Sequence, residues 1–259
     1  MRLTFLGTGT SFGVPQIGCG CAVCRSEDPR DKRTRTGAVV DVHGTRLLLD
    51  TPPELRLRLI SSGISEVDAV LYTHAHADHI NGIDDLRAFS VRRDDPLPLH
   101  GPAEALETIR RSFGYIFDEA IVPVPGTSKP SLALRPLASG LEVRIGGAAV
   151  LPIELDHGPV RVFGYRIGGL GYLTDVKSVP ESALRALAGV QVLVVNALWW
   201  RQHPTHLSIG EALALASAVG AVRTYLTHLT HETGHAELAL ALPAGVEPAY
   251  DGLVVEVSA

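Results

Sequence analysis

The densest run of reactive side chains is His74-Ala75-His76-Ala77-Asp78-His79. Imidazole and carboxylate in this density suit zinc, manganese or iron. The run follows Val67-Asp68-Ala69-Val70-Leu71-Tyr72-Thr73, an apolar stretch that reads as a buried strand. Where a chain leaves a sheet, its side chains are free to converge outside the strand ends. If the chain stays extended, His74, His76 and Asp78 project to one side, and the adjacent pair Asp78 and His79 must diverge, which offers a ligand to a second ion. One segment cannot close two sites. His157 follows the strand-like run 150–156, Asp175 follows Gly171–Thr174, and His228 follows Thr224–Thr227. Each alone also reads as a capping or solvated polar residue. Together they complete what a two-metal site lacks.

A second group is Cys19, Cys21 and Cys24, the only 3 cysteines of the chain. An odd number so closely spaced is a poor disulfide framework, and in a reducing compartment such a cluster more often binds metal. A closed zinc site needs four ligands. The fourth must come from elsewhere in the chain, with His231 and His235 as the candidates. His43 and His100 read as ordinary, one in a hairpin turn and one at a strand end.

Short β-rich runs alternating with helical patterns must position these groups. Strands are expected at Arg2–Leu6, Ala38–Val42, Arg46–Leu49, Val67–Thr73, Ala149–Leu155, Val160–Ile167, Gly171–Thr174, Val190–Asn196, Val222–Thr227 and Leu253–Val257. Helices are expected at Pro52–Ile60, capped by Thr51, at Ile80–Ser90, at Ala103–Phe113, after Pro180, at Ile209–Val219 and, in brief, after Thr227. Gly114 to Pro136 reads as irregular. No linker divides the chain, so the expectation is one α/β domain over residues 1–259 with a four-layer αββα sandwich.

The 259 residues are 46% hydrophobic and 20% charged, with a formal net charge of -5. These values exclude a disordered chain and advertise no electrostatic grip on nucleic acid. No apolar run reaches the roughly 18–20 residues that span a bilayer. The N-terminal residues lack a signal-peptide pattern, and a cytoplasmic protein is expected.

The strand followed by His-x-His-x-Asp-His, with later His, Asp and His at strand ends, resembles the metallo-β-lactamase superfamily. The resemblance runs from Phe5-Leu6-Gly7-Thr8-Gly9-Thr10 through Leu49-Asp50 to Tyr250-Asp251-Gly252. Gly18-Cys19-Gly20-Cys21-Ala22-Val23-Cys24, Thr205-His206-Leu207-Ser208 and Leu226-Thr227-His228-Leu229-Thr230-His231 narrow it to the phosphoribosyl cyclic phosphodiesterase (PhnP-like) group. The resemblance implies one metal on His74, His76 and His157, a second on Asp78, His79 and His228, and Asp175 as the bridge. It also implies a structural zinc on Cys19, Cys21, Cys24 and His231, a clip at about residues 18–25. Asp50 either orients a metal-bound imidazole from behind or caps the following helix.

Two active-site ions, zinc or manganese, would hold a hydroxide between them and neutralise phosphoryl charge. A small, cyclic phosphodiester is the expected substrate, with Asp78 and His206 as catalytic residues. His206 precedes the helix Ile209–Val219, and in the resembling group a histidine here contacts the phosphodiester. As a general acid it would protonate the departing alkoxide. His203 is expected to be exposed. The resemblance is compatible with a homodimer. Two other readings share the motif. A tRNA 3′-processing endonuclease needs a basic surface or RNA-gripping arm, whereas Gly114 to Pro136 sets Asp118 and Glu119 against Lys129 and Arg135. Its Phe113, Tyr115, Ile116 and Phe117 suit a lid, a dimer contact or core. A non-catalytic binding protein, like relatives from quinone-cofactor biosynthesis, would not need the intact ligand set.

Overall fold

The computed structural model describes residues 1–258. Its strands are β1 (Arg2–Gly7), β2 (Gly37–Val42), β3 (Thr45–Leu49), β4 (Ala69–Leu71), β5 (Leu97–Pro102), β6 (Leu132–Leu137), β7 (Val143–Ile145), β8 (Ala148–His157), β9 (Val160–Ile167), β10 (Leu170–Leu173), β11 (Val192–Asn196), β12 (Arg223–Thr227), β13 (Val246–Pro248) and β14 (Val254–Glu256). They form two 7-stranded sheets, ordered β14-β1-β2-β3-β4-β5-β6 and β13-β12-β11-β10-β9-β8-β7. Each sheet changes from antiparallel to parallel part-way across. In the first, β1, β2 and β3 run antiparallel and β3 to β6 run parallel. In the second, β7 to β10 run antiparallel and β10 to β13 run parallel.

Both faces of each sheet are covered, which is why the central strands are almost continuously apolar. Leu47 and Leu49 point between the sheets and Leu48 points to the outer helices. Val192 and Val194 likewise face inward, and Leu193 and Val195 outward. The helices Leu55–Ser61 and Ala103–Ser112 close the first sheet with Leu55, Leu59, Leu106 and Ile109. Glu181–Leu187, Ile209–Val219 and His235–Ala241 close the second with Leu187, Ile209, Ala212 and Leu238. The result is the αββα sandwich. Among the described residues, no helix is long and apolar enough to cross a membrane.

Several local expectations need correction. The helix expected from Pro52 begins at Leu55, and Thr51 does not cap it. The Thr51 hydroxyl is buried and spent on Tyr72 Oη, 2.9 Å away, and on the Ile80 carbonyl at 3.2 Å. The helix expected over Ile80–Ser90 is broken into Ala77–Ile80, a 3₁₀ turn Ile83–Leu86 and Arg87–Ser90. Gly82 breaks it: its N–H bonds the Thr51 carbonyl at 2.8 Å, and a Cβ there would lie 2.2 Å from the Pro52 carbonyl oxygen. The segment Gly114 to Pro136 contains the short helix Gly114–Phe117 and the start of β6. Strands β5, β6 and β13 contain Pro98, Pro102, Pro136 and Pro248, which disguise them in the sequence.

A buried side-chain hydrogen bond joins the sheets beneath the strand ends, beside the backbone bond from the Phe163 N–H to the Thr73 carbonyl at 2.9 Å. Tyr165 of β9 donates its hydroxyl to the Tyr72 carbonyl at 2.5 Å. Tyr165→Phe removes the only polar atom of that side chain and leaves the shape intact. Denaturant unfolding should show a loss of about 1–3 kcal/mol, the cost of a buried acceptor deprived of its donor.

Candidate metal centre

The expected ligands all come from strand ends or the turns after them. His74 follows β4, His157 is the last residue of β8, Asp175 lies just beyond β10, and His228 follows β12. The extended continuation expected past His74 stops at His76. His76 is the N-cap of the helical turn Ala77–Ile80, which carries Asp78 and His79. Asp78 and His79 still reach the centre, from a helix rather than a strand. Asp50, Asp175 and His228 leave their strands in the left-handed region, with φ of 61°, 57° and 57°.

The donor atoms of His74, His76 and His157 lie within 4.8 Å of one another, as do those of Asp78, His79 and His228. Asp175 joins His74 and His79 in one such group and His157 and His206 in another, so it stands between the two sets. The buried His74 Nε2 has no hydrogen-bond partner. His79 Nε2 lies 3.2 Å from Asp175 Oδ2 and 3.5 Å from Asp78 Oδ2 without the alignment of a hydrogen bond. Orphaned imidazole nitrogens facing carboxylates in a buried cleft fit divalent cations.

The opposite ring nitrogens explain how this orientation is fixed. Asp50, fully buried, accepts from the Thr73 N–H at 2.8 Å, the Thr73 hydroxyl at 2.9 Å and His79 Nδ1 at 2.8 Å. Having given its proton to Asp50, the Thr73 hydroxyl accepts from His74 Nδ1 at 2.9 Å. Thr36 repeats the device: its hydroxyl donates to the Gly9 carbonyl at 2.9 Å and accepts from His228 Nδ1 at 3.1 Å. His157 Nδ1 donates to the Thr205 carbonyl at 2.7 Å. Each of these imidazoles thus carries its proton on Nδ1 and turns the Nε2 lone pair to the centre. Asp50 is behind an imidazole, and helix capping is not its role. Thr36, Thr73 and Thr205 carry no sequence signal, because a threonine hydroxyl or backbone carbonyl becomes a partner only after folding.

Burial holds the pKa of His228 down to about 4 and lowers those of His74 and His157 as well. Lowered pKa values favour the neutral imidazole, the form able to bind a metal. Burial also opposes a charge on His79, but Asp175, Asp50 and Asp78 around it push its pKa well above the ordinary value. The carboxylates around His79 thus favour a positive charge at this centre.

His206 lies on the loop before the helix Ile209–Val219, whose start is set by a capping box of Ser208 and Glu211. Its Nε2 is 3.1 Å from Asp175 Oδ1. His203 is not the exposed residue expected from sequence: it is half-buried, its Nδ1 lies 3.2 Å from His206 Nδ1, and its ring meets Trp199 edge-on. A cleft of about 340 Å³ opens over this floor, with Ser11, Pro159 and Val160 on its walls.

The cysteines gather around His231. Cys19 Sγ and Cys21 Sγ each lie 3.3 Å from its Nδ1, and Cys24 completes the group. The Cys24 N–H points at the Cys21 sulfur from 3.4 Å, and with His231 it draws that thiol down to about 6. His235 is elsewhere: its Nδ1 faces the buried Arg33 guanidinium at 3.4 Å. Next to His231, Glu232 binds Arg201 through two contacts of 2.8 and 2.5 Å, and Arg201 lies over the Trp199 ring. The clip is thereby tied to the loop that carries His206.

Residues 45–229 match the Beta-lactamase superfamily domain. A solved diphosphatase from the PhnP family is 36% identical, with a TM-score of 0.91 over 99% of this chain and 98% of that one. Zn(2+)-bound PqqB from Methylobacterium extorquens has the same fold, with a TM-score of 0.80 at 19% identity over 99% of this chain and 100% of that one. An octanoyltransferase of Porphyromonas gingivalis is 38% identical over 98% of this chain but only 51% of that protein, so the chain spans about half of that relative's length. The chain belongs to the metallo-β-lactamase superfamily and is PhnP-like within it.

Two measurements check the donor sets. Elemental analysis of Cys21→Ala should show loss of one zinc from about three metals per chain, with the other two retained. Thr36→Val keeps the shape but cannot accept from His228 Nδ1, and isothermal titration should show affinity for one ion weakened about 10–100-fold.

Proposed function

We propose that this chain is a binuclear metal-dependent phosphodiesterase that cleaves a small, cyclic phosphodiester of the phosphoribosyl 1,2-cyclic phosphate kind. The observation that carries this reading is the position of His206 Nε2, 3.1 Å from Asp175 Oδ1 at the junction of the two donor sets. In it, His74, His76 and His157 would hold one ion and Asp78, His79 and His228 the other, with Asp175 standing between the two sets. Two such ions, zinc or manganese, when bound supply a water of lowered pKa and neutralise charge on phosphoryl oxygens. The protein's own part is orientation and proton transfer. Asp50, Thr36, Thr73 and the Thr205 carbonyl keep the imidazoles aimed inward. His206, uncommitted to either donor set, gives its Nε2 proton to the alkoxide oxygen as the P–O bond breaks.

The PhnP-family neighbour is a diphosphatase, which favours a second reading on the same residues. A diphosphate ester offers the same phosphoryl centre, but its leaving group is a phosphate that departs with less need of a proton. Net charge of -5 and a mixed-charge segment at Gly114 to Pro136 support a small substrate over tRNA. The complete donor sets support catalysis over a binding role. Octanoyl transfer belongs to a relative twice the length of the match and adds no residue to this site.

The deciding assay is a panel of cyclic and linear phosphodiesters, a diphosphate ester and precursor tRNA, offered to zinc- or manganese-loaded protein. Cyclic phosphodiesters should be the best substrates. Preference for the diphosphate ester would select the second reading, and efficient, salt-sensitive cleavage of tRNA would overturn both. Within the panel, His206→Ala should retain its metals. It should lose about 10²–10⁴-fold in rate on an alkyl phosphodiester and much less on a nitrophenyl one, whose phenolate leaves unprotonated.

A further inference from the structure

We propose that His203 is the positioning residue of His206, holding the proton on His206 Nδ1 and so presenting Nε2 to the cleft. The inference rests on the reading of His206 as the acid. It begins with a backbone donor. The Thr205 N–H points at His203 Nδ1 from 3.3 Å. An amide N–H can only donate, so His203 Nδ1 carries a lone pair and the His203 proton is on Nε2. His206 Nδ1 lies 3.2 Å from that same nitrogen and 3.0 Å from the Thr205 hydroxyl oxygen. The hydroxyl is in turn 3.3 Å from His203 Nδ1. Two unprotonated nitrogens at 3.2 Å would repel, so the proton belongs on His206 Nδ1.

The other nitrogen, Nε2, is then the one that meets Asp175 Oδ1. The acid form carries a proton on both nitrogens, and when Nε2 gives its proton to the leaving group the neutral ring is left as the Nδ1–H tautomer that His203 already holds. No second proton has to move. A ring without this partner could rotate about χ2 and present a carbon to the cleft instead.

His203 is itself braced. Its ring meets Trp199 with centroids 5.4 Å apart at 71°. The Arg201 guanidinium carbon lies 3.9 Å over the Trp199 ring centroid, and Arg201 is anchored by Glu232 beside the cysteine clip. Thr205, between the two histidines, gives its carbonyl to His157 Nδ1. One loop therefore carries the acid and also the carbonyl that orients His157.

The test combines nuclear magnetic resonance of the zinc-loaded protein with kinetics. Nitrogen–proton correlation of the imidazoles should show His203 Nδ1 bare and His206 Nδ1 protonated, with the His206 tautomers mixed in His203→Ala. That variant should keep its metal content and lose about 10–100-fold on an alkyl phosphodiester, with little loss on a nitrophenyl one. His203→Asn places an amide oxygen near the lost lone pair and should recover most of the rate. Adding His203→Ala to His206→Ala should cost nothing further, because one residue acts through the other. A proton on His203 Nδ1, or additive losses in the double variant, would overturn the inference. A wild-type protein inert on every phosphodiester would sink the functional reading instead, and the resonance experiment would still decide the pairing of the two rings.

Discussion

The centre depends on one buried carboxylate. Asp50 has no exposed surface, and burial pushes its pKa up against the pull of His79. A charge there is tolerable only because its oxygens accept the Thr73 amide, the Thr73 hydroxyl and His79 Nδ1. Through Thr73 the same carboxylate also dictates the tautomer of His74. His74 and His79 belong to different donor sets. Removing the charge would release an imidazole from each set at once, so the two halves of the centre are not independent modules.

The geometry behind this comes from the sandwich. Strands β3, β4, β10 and β12 end at the same rim, and the apolar pattern that buries both of their faces forces polar residues to wait until the strand is over. That is why the residues that converge here were legible in sequence: Asp50, His74, Asp175 and His228 stand at the ends of strand-like runs, and although a strand-end residue alone also reads as a cap or a solvated group, together they point to one centre. The layered fold followed from the same runs. Other features needed the tertiary structure. Thr51 looks like a helix cap until Tyr72 and the Ile80 carbonyl claim its hydroxyl. The helix from Ile80 looks continuous until the Pro52 carbonyl crowds Gly82. His203 looks exposed because nothing in the sequence reveals that its neighbour Thr205 folds back and aims an N–H at it. Strand β5 hides behind its prolines.

The choice between His231 and His235 illustrates the same limit. The two residues are close in sequence, and either spacing suits a fourth ligand. The difference is made by Asp31, whose carboxylate accepts the His235 N–H at 2.6 Å, and by Arg33, which occupies the His235 ring. With His235 drawn into this buried polar cluster, His231 is left to meet the sulfurs. The adjacent Glu232 then reaches Arg201, so an arrangement that begins as a local staple extends to the loop over the cleft.

The left-handed turns at Asp50, Asp175 and His228 carry a historical consequence. Such a conformation costs a residue other than glycine on the order of 1–3 kcal/mol, and here it aims each side chain into the centre. Glycine would relieve the backbone and delete the inward-facing side chain in the same substitution. At Asp175 and His228 the donor role and the backbone cost pull in opposite directions, whereas at Asp50 the carboxylate also satisfies three buried donors that glycine would orphan. In a lineage freed from its chemistry, the ends of β10 and β12 are the places where decay would be rewarded. A retired descendant should therefore keep its core leucines and valines long after glycine has appeared at those corners, and its idleness would be readable there first.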